Sequence, residues 1–127
     1  MEKIKIAIIG YGTMGKIRYN YLKKLDSIEI ILVYDPYSKD IPEHLKTNLE
    51  LDQVIGLASI DAIFICTPNY LNAKLTFDSL KNEKHVFCEK PPSMNSLELK
   101  KVVNLDENSS MKLMYGFNHR HHDSIKK

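Results

Sequence analysis

The sequence predicts an α/β protein built on a doubly wound parallel sheet, with about six strands in the order 3-2-1-4-5-6. Three observations carry that expectation. Short, continuous apolar runs such as IAII and AIFIC read as strands buried on both faces of a parallel sheet. These runs alternate with segments whose apolar residues recur at helical spacing, the pattern of βα units joined by right-handed crossovers. The first run ends in Gly10, Gly12 and Gly15, a GxGxxG turn set between a strand and a helix.

Each glycine of that turn has its own steric task. Gly10 suits a tight turn, Gly12 lets backbone approach a ligand, and Gly15 lets the following helix pack against the strand. The helix opening near Thr13 and Met14 directs free N–H groups toward a pyrophosphate, along the positive end of its dipole. Met14, Ile17, Tyr21, Leu22 and Leu25 are expected to form its one apolar stripe. A second strand, Ile28 to Tyr34, ends in Asp35, about twenty residues beyond Gly15, where a carboxylate accepts hydrogen bonds from an adenosine ribose diol. A strand-turn-helix without a ligand, whose Asp merely starts a turn before Pro36, accounts for each feature singly but not for their joint spacing.

Past Asp35, the polar stretch PYSKDIPEHLK fits a loop and short helix. Leu45 to Leu49 supplies a short edge strand, and Leu51, Val54, Ile55 and Ala58 have the spacing of a helix that Gly56 weakens. Ala62 to Thr67 is another apolar strand, halting at Thr67, Pro68 and Asn69 on the sheet edge where open parallel sheets bind ligands. Asn69 is expected to cap a helix reaching about Asn82, with Leu71, Ala73, Leu75, Phe77 and Leu80 on its buried side. His85 to Cys88 is a strand ended by Glu89, Lys90, Pro91 and Pro92. Asn95 and Glu98 resemble a capping box for a helix with Leu99, Val102 and Val103 inward. Lys112 to Phe117 makes the sixth strand.

Bulk properties bound the function. A chain of 127 residues supports one domain, 1–127, with a real core. Eighteen basic against sixteen acidic residues leave a formal +2, too balanced to argue for nucleic acid or an anionic membrane as partner. No run has membrane-spanning length and no signal peptide opens the chain, so a cytoplasmic location is expected. Cys66 and Cys88, without a CxxC motif, read as reduced thiols.

Glu89 and Lys90 place a carboxylate and an ammonium at the same strand edge as the nucleotide turn. An ammonium there can hold a substrate hydroxyl or join a proton relay, since hydride loss from an alcohol carbon requires loss of the hydroxyl proton too. The same pair also fits a plain surface ion pair ahead of two prolines. Lys90-Pro91 is a candidate cis bond. His119, His121 and His122 have no Cys or carboxylate at ligand spacing except Asp123, so no metal site is expected. The planar fork of Arg120 suits a carboxylate or phosphate, or a surface salt bridge.

Taken together, AIIGYGTMG, Asp35, IDAIFICTPN, CEKPPS and YGFNHR resemble the N-terminal nucleotide-binding Rossmann domain of the Gfo/Idh/MocA oxidoreductases over almost the whole chain. GxGxxG alone occurs in many dehydrogenases, whereas TPN followed some twenty residues later by EKP is characteristic of this family. The resemblance implies an NAD- or NADP-dependent enzyme acting on a sugar, sugar nucleotide, cyclitol or related polyol. It implies that Lys90 lies near the nicotinamide and the substrate hydroxyl, that Glu89 helps position the cofactor, and that Thr67, Pro68 and Asn69 line the nicotinamide side. Asn118 and Arg120 match the strand exit facing the substrate. Asp35 favours NAD, because a carboxylate repels a ribose 2′-phosphate and no Arg or Lys directly follows it.

Two departures from the family pattern stand out. Asn72 occupies the position where the family's TPN motif usually continues to a His, which puts a local hydrogen bond in question. Family members also continue into a second α/β domain that supplies the catalytic His, and residues 118–127 read as the start of a segment leading to it. The chain alone is thus expected to bind cofactor and to turn over slowly or not at all. Groups from Phe117 to Ile125, without that cover, are expected to self-associate as a homo-oligomer or to fray. A non-catalytic NAD(H)-binding or redox-sensing module is the alternative from another class, and an S-adenosylmethionine site ranks last.

Overall fold

In the computed structural model, which describes residues 2–89 and 96–116, five strands form one parallel sheet in the order β2-β1-β3-β4-β5. The elements are β1 (Ile4–Ile9), α1 (Thr13–Leu22), β2 (Ile28–Tyr34), α2 (Leu51–Ile55), β3 (Ala62–Ile65), α3 (Asn69–Lys81), β4 (His85–Glu89), α4 (Ser96–Glu107) and β5 (Leu113–Gly116). The order is the predicted one without its edge strand over 45–49. Residues Glu43–Leu45 form a 3-10 turn instead, which follows Pro42 and buries Leu45. The chain beyond it spends its N–H groups locally: Leu49 donates to the Thr47 hydroxyl and Glu50 to the Gln53 side chain, so neither is free for a ladder.

The sheet buries both faces, as continuous apolar strands require. Ala7, Ile9, Ile63, Ile65, Val86 and Cys88 point toward α2, α3 and α4, meeting Val54, Leu75, Leu80 and Val102. Ile6, Ile8, Ala62 and Val33 point the other way, toward Leu22 of α1. Parallel registers put strand ends in line: Ile9 pairs with Tyr34 and with Ile65, Ile65 with Cys88, and Cys88 with Tyr115. The residues just past those pairs therefore form a row along the carboxyl edge, and this row is where the site lies.

Several local expectations are corrected by packing. The stripe on α1 is only in part its buried side: Leu22 is buried and Leu25 packs against the core, but Met14, Ile17 and Tyr21 are 38%, 49% and 61% exposed and Gly15 is buried in their place. The helix approaches the turn closely at Gly15, so its contact face runs through Gly15 and Leu22 and leaves Met14, Ile17 and Tyr21 beside it. Helix α2 stops at Gly56, short of Ala58, and is held by a reciprocal capping box between Glu50 and Gln53. Asn69 is the first residue of α3 rather than its cap, which is Pro68. Val102 is buried but Val103 is 43% exposed. The proposed cap Asn95, the Lys90-Pro91 bond, Phe117 and the histidine-rich tail lie outside the described residues.

Candidate functional site

The glycine turn is built by steric exclusion. Gly10 has φ +97°, and a Cβ there would stand 2.5 Å from the Cys66 carbonyl oxygen, so only glycine joins β1 to the turn beside the β3 exit. At Gly15 a Cβ would stand 2.1 Å from the Gly10 carbonyl oxygen, which is how α1 starts directly over the turn. Gly12 differs: a Cβ there would meet nothing within 4 Å among the described residues. It is the residue at the start of α1, with no side-chain cap and no acid in the helix's first turn. No side chain caps the N–H groups there, the condition under which a helix start can take an anion.

Asp35 is fixed to the turn by hydrogen bonds. Its Oδ2 accepts from the Tyr11 N–H at 2.7 Å and its Oδ1 from the Tyr37 N–H at 3.0 Å. Each oxygen keeps a lone pair for another donor. Gly10, Gly12, Thr13, Met14, Asp35, Thr67 and Pro68 line one cleft of about 630 Å³, together with Tyr37, Tyr70 and Leu71, which sequence reasoning did not single out as site residues. A larger groove of about 770 Å³ lies between α3 and α4, away from this edge. Its walls, including Phe77, Lys101 and Leu105, hold none of the predicted site residues, so the smaller cleft is the candidate site.

Glu89 does not line that cleft. It sits buried at the end of β4, and its Oε2 accepts a hydrogen bond from Nε of Arg18 at 2.5 Å. The Arg18 guanidinium lies 4.8 Å from the Phe87 ring centre, so the pair ties α1 to β4 across the sheet face. Gly116 leaves room for it, since a Cβ there would stand 2.7 Å from Phe87 and 3.0 Å from a Glu89 oxygen. Sequence reasoning missed Arg18, and its only signal was a charge one turn past the third glycine. Asn72, whose hydrogen bond was in question, is fully buried and makes one to the Glu89 backbone carbonyl. Lys90, Asn118 and Arg120 lie outside the described residues.

Both thiols are free. Burial chiefly, with the Glu89 charge adding to it, pushes the Cys66 thiol up to about 12, and burial pushes Cys88 up to about 11. Burial likewise carries the Tyr115 hydroxyl to about 12. Native protein is expected to resist iodoacetamide at about pH 8 and to react on unfolding, as mass spectrometry would read. Because these groups hold their protons more tightly folded than unfolded, stability is complete below about pH 9, the ordinary thiol value, and falls as pH rises toward 11 or 12. A lower urea midpoint at about pH 10.5 than at about pH 8 would check this.

Among the described residues no three His, Cys, Asp or Glu side chains gather as a metal site, and no helix is long and apolar enough to cross a membrane. Residues 4–117 match a family described as an oxidoreductase family with an NAD-binding Rossmann fold. Among similar proteins, the myo-inositol 2-dehydrogenase of Thermotoga maritima is 28% identical over 98% of this chain and 39% of its own length. The glucose-6-phosphate 3-dehydrogenase of Bacillus subtilis is 27% identical over 92% of this chain and 34% of its own. The crystal structure of an NAD-binding protein from Listeria innocua superposes with a TM-score of 0.83 at 28% identity, over 94% of this chain and 36% of that one. The chain thus spans roughly a third to two-fifths of the length of such relatives.

Proposed function

The chain belongs to the Gfo/Idh/MocA oxidoreductase family as its NAD-binding Rossmann domain, and from that premise we propose that it holds NAD(H) in preference to NADP(H) and serves hydride exchange with a sugar, sugar-nucleotide or cyclitol hydroxyl. The observation that carries the reading is the space at Gly12. Gly10 and Gly15 are glycine because protein backbone crowds them, whereas Gly12 faces open space at the foot of α1, where a diphosphate would need the backbone bare.

Asp35 supports the choice of NAD. Its two oxygens are held by backbone N–H groups at fixed positions, so vicinal ribose hydroxyls can donate to it and a 2′-phosphate would face a carboxylate that cannot swing away. In this reading Thr67, Pro68 and Asn69 border the nicotinamide and Glu89 helps position the cofactor. Asn118 and Arg120 face the substrate. NAD when bound supplies the hydride acceptor. The chain's own part in the chemistry falls to Lys90, whose side chain holds the reacting hydroxyl and takes part in the relay of its proton. The inositol and glucose 6-phosphate relatives support a polyol as the substrate class.

Calorimetric titration tests the reading. NADH should bind this chain in the micromolar to millimolar range, about tenfold or more tighter than NADPH. Asp35→Ala should weaken NADH and narrow the ratio to about threefold or less. An absence of heat with both dinucleotides would overturn it.

A further inference from the structure

One buried amide joins the two loops that the proposed reading assigns to the reactive end of the dinucleotide. Asn72 lies in the first turn of α3 and is fully buried. Its Nδ2 donates to the Glu89 backbone carbonyl at 2.9 Å, and its Oδ1 accepts from the Thr67 hydroxyl at 3.1 Å. The Glu89 oxygen is part of the peptide bond leading into Lys90. Apart from the amide, the Cys88 thiol stands 3.4 Å from that oxygen, and a thiol is a weak donor. Among the described residues Asn72 is therefore the strong donor to the carbonyl that ends β4, and it ties the Thr67 hydroxyl to the same point.

We infer that Asn72 is a positioning residue: it locks the Glu89 backbone carbonyl at the end of β4 to the Thr67 hydroxyl after β3, and so sets the wall against which the nicotinamide half of NAD is held. The inference rests on the proposed reading of the cleft as an NAD site. A primary amide suits the task because it offers a donor and an acceptor at once and does not titrate. A neutral imidazole offers the same pair, so a histidine at this position can do the same work.

The adenosine half gives the test its internal control. Asp35 follows the edge strand β2, and β1 separates it from the β3 and β4 exits that Asn72 joins, so ADP-ribose reports on the adenosine side without engaging the nicotinamide side. In calorimetric titrations of this chain, Asn72→Leu, which keeps the shape and removes both polar atoms, should weaken NADH about tenfold while ADP-ribose stays within about twofold. Asn72→His, which restores a donor and an acceptor, should bring NADH back to within about threefold of wild type at about pH 8. Should Asn72→Leu fail to fold, Thr67→Val, which removes the hydroxyl that orients the amide, should give the same split at about threefold. Equal weakening of both ligands would mean that Asn72 only holds the fold, and unchanged NADH binding would mean that it positions nothing; either overturns the inference. Wild-type protein that bound ADP-ribose but gained nothing from the nicotinamide would overturn it while leaving the adenosine site standing. Wild type that bound neither ligand would overturn the reading of the cleft as well.

Discussion

Gly15→Ala is expected to destabilise the fold by about 3 kcal/mol or more and to lower Tm by about 10 °C, whereas Gly12→Ala leaves Tm within about 3 °C and removes most NADH affinity. The difference lies in what each new methyl would strike. At Gly15 it meets the Gly10 backbone carbonyl at 2.1 Å, and neither group can turn away, because one is in α1 and the other joins β1 to the turn. Relief requires lifting the helix off the sheet edge. At Gly12 the methyl meets no protein atom within 4 Å, so the penalty is the small one of a poorer residue at a helix start, below about 1 kcal/mol. The same methyl would stand where a diphosphate approaches α1, and an NADH affinity lowered about tenfold or more is expected. Thermal melts and calorimetry of the two variants check this. Wild-type NADH binding by Gly12→Ala would show that the diphosphate lies elsewhere.

Arg18→Met is expected to cost about 3 kcal/mol although it removes a residue partly open to solvent. Its Glu89 partner is 8% exposed, and a buried carboxylate stripped of its ion pair keeps the desolvation cost without the compensation. Loss of the guanidinium from the Phe87 ring adds about 0.5–1 kcal/mol. Glu89→Gln in the Arg18→Met background should recover about half of the loss, because the charge no longer needs a partner. Urea unfolding of the two single variants and the double variant closes the cycle. Additive losses would show that the pair contributes no coupling, and Arg18 would then act only by packing.

The strand-turn-helix of residues 4–22 was legible because both of its signals are local. Continuous apolar character identifies a two-sided strand, and three glycines at fixed spacing identify the turn that follows. The same holds for Ile28–Tyr34 and the acid that ends it. The strand expected over 45–49 failed because the N–H groups of Leu45, Lys46 and Leu49 found partners two or three residues back, the Pro42 and Glu43 carbonyls and the Thr47 hydroxyl, a competition that strand propensity ignores. The stripe on α1 held at Leu22 and Leu25 and failed at its other members for another reason. Helical spacing shows that Met14, Ile17 and Tyr21 share a face, but which face the sheet takes is decided by how closely the backbone approaches, and the approach is made at Gly15.

By itself the sequence determined that this chain forms a parallel sheet with a bare glycine turn at one edge and an acid one strand over, since apolar periodicity and glycine spacing act within a few residues. Only the tertiary structure decided that Arg18 would claim Glu89 and that Asn72 would bind the Glu89 carbonyl. Those partners are 71 and 17 residues apart in the chain and meet because the end of β4 lies between α1, which carries Arg18, and α3, which carries Asn72. Buried polar groups must find partners wherever the fold delivers them, and no local pattern records which ones arrive.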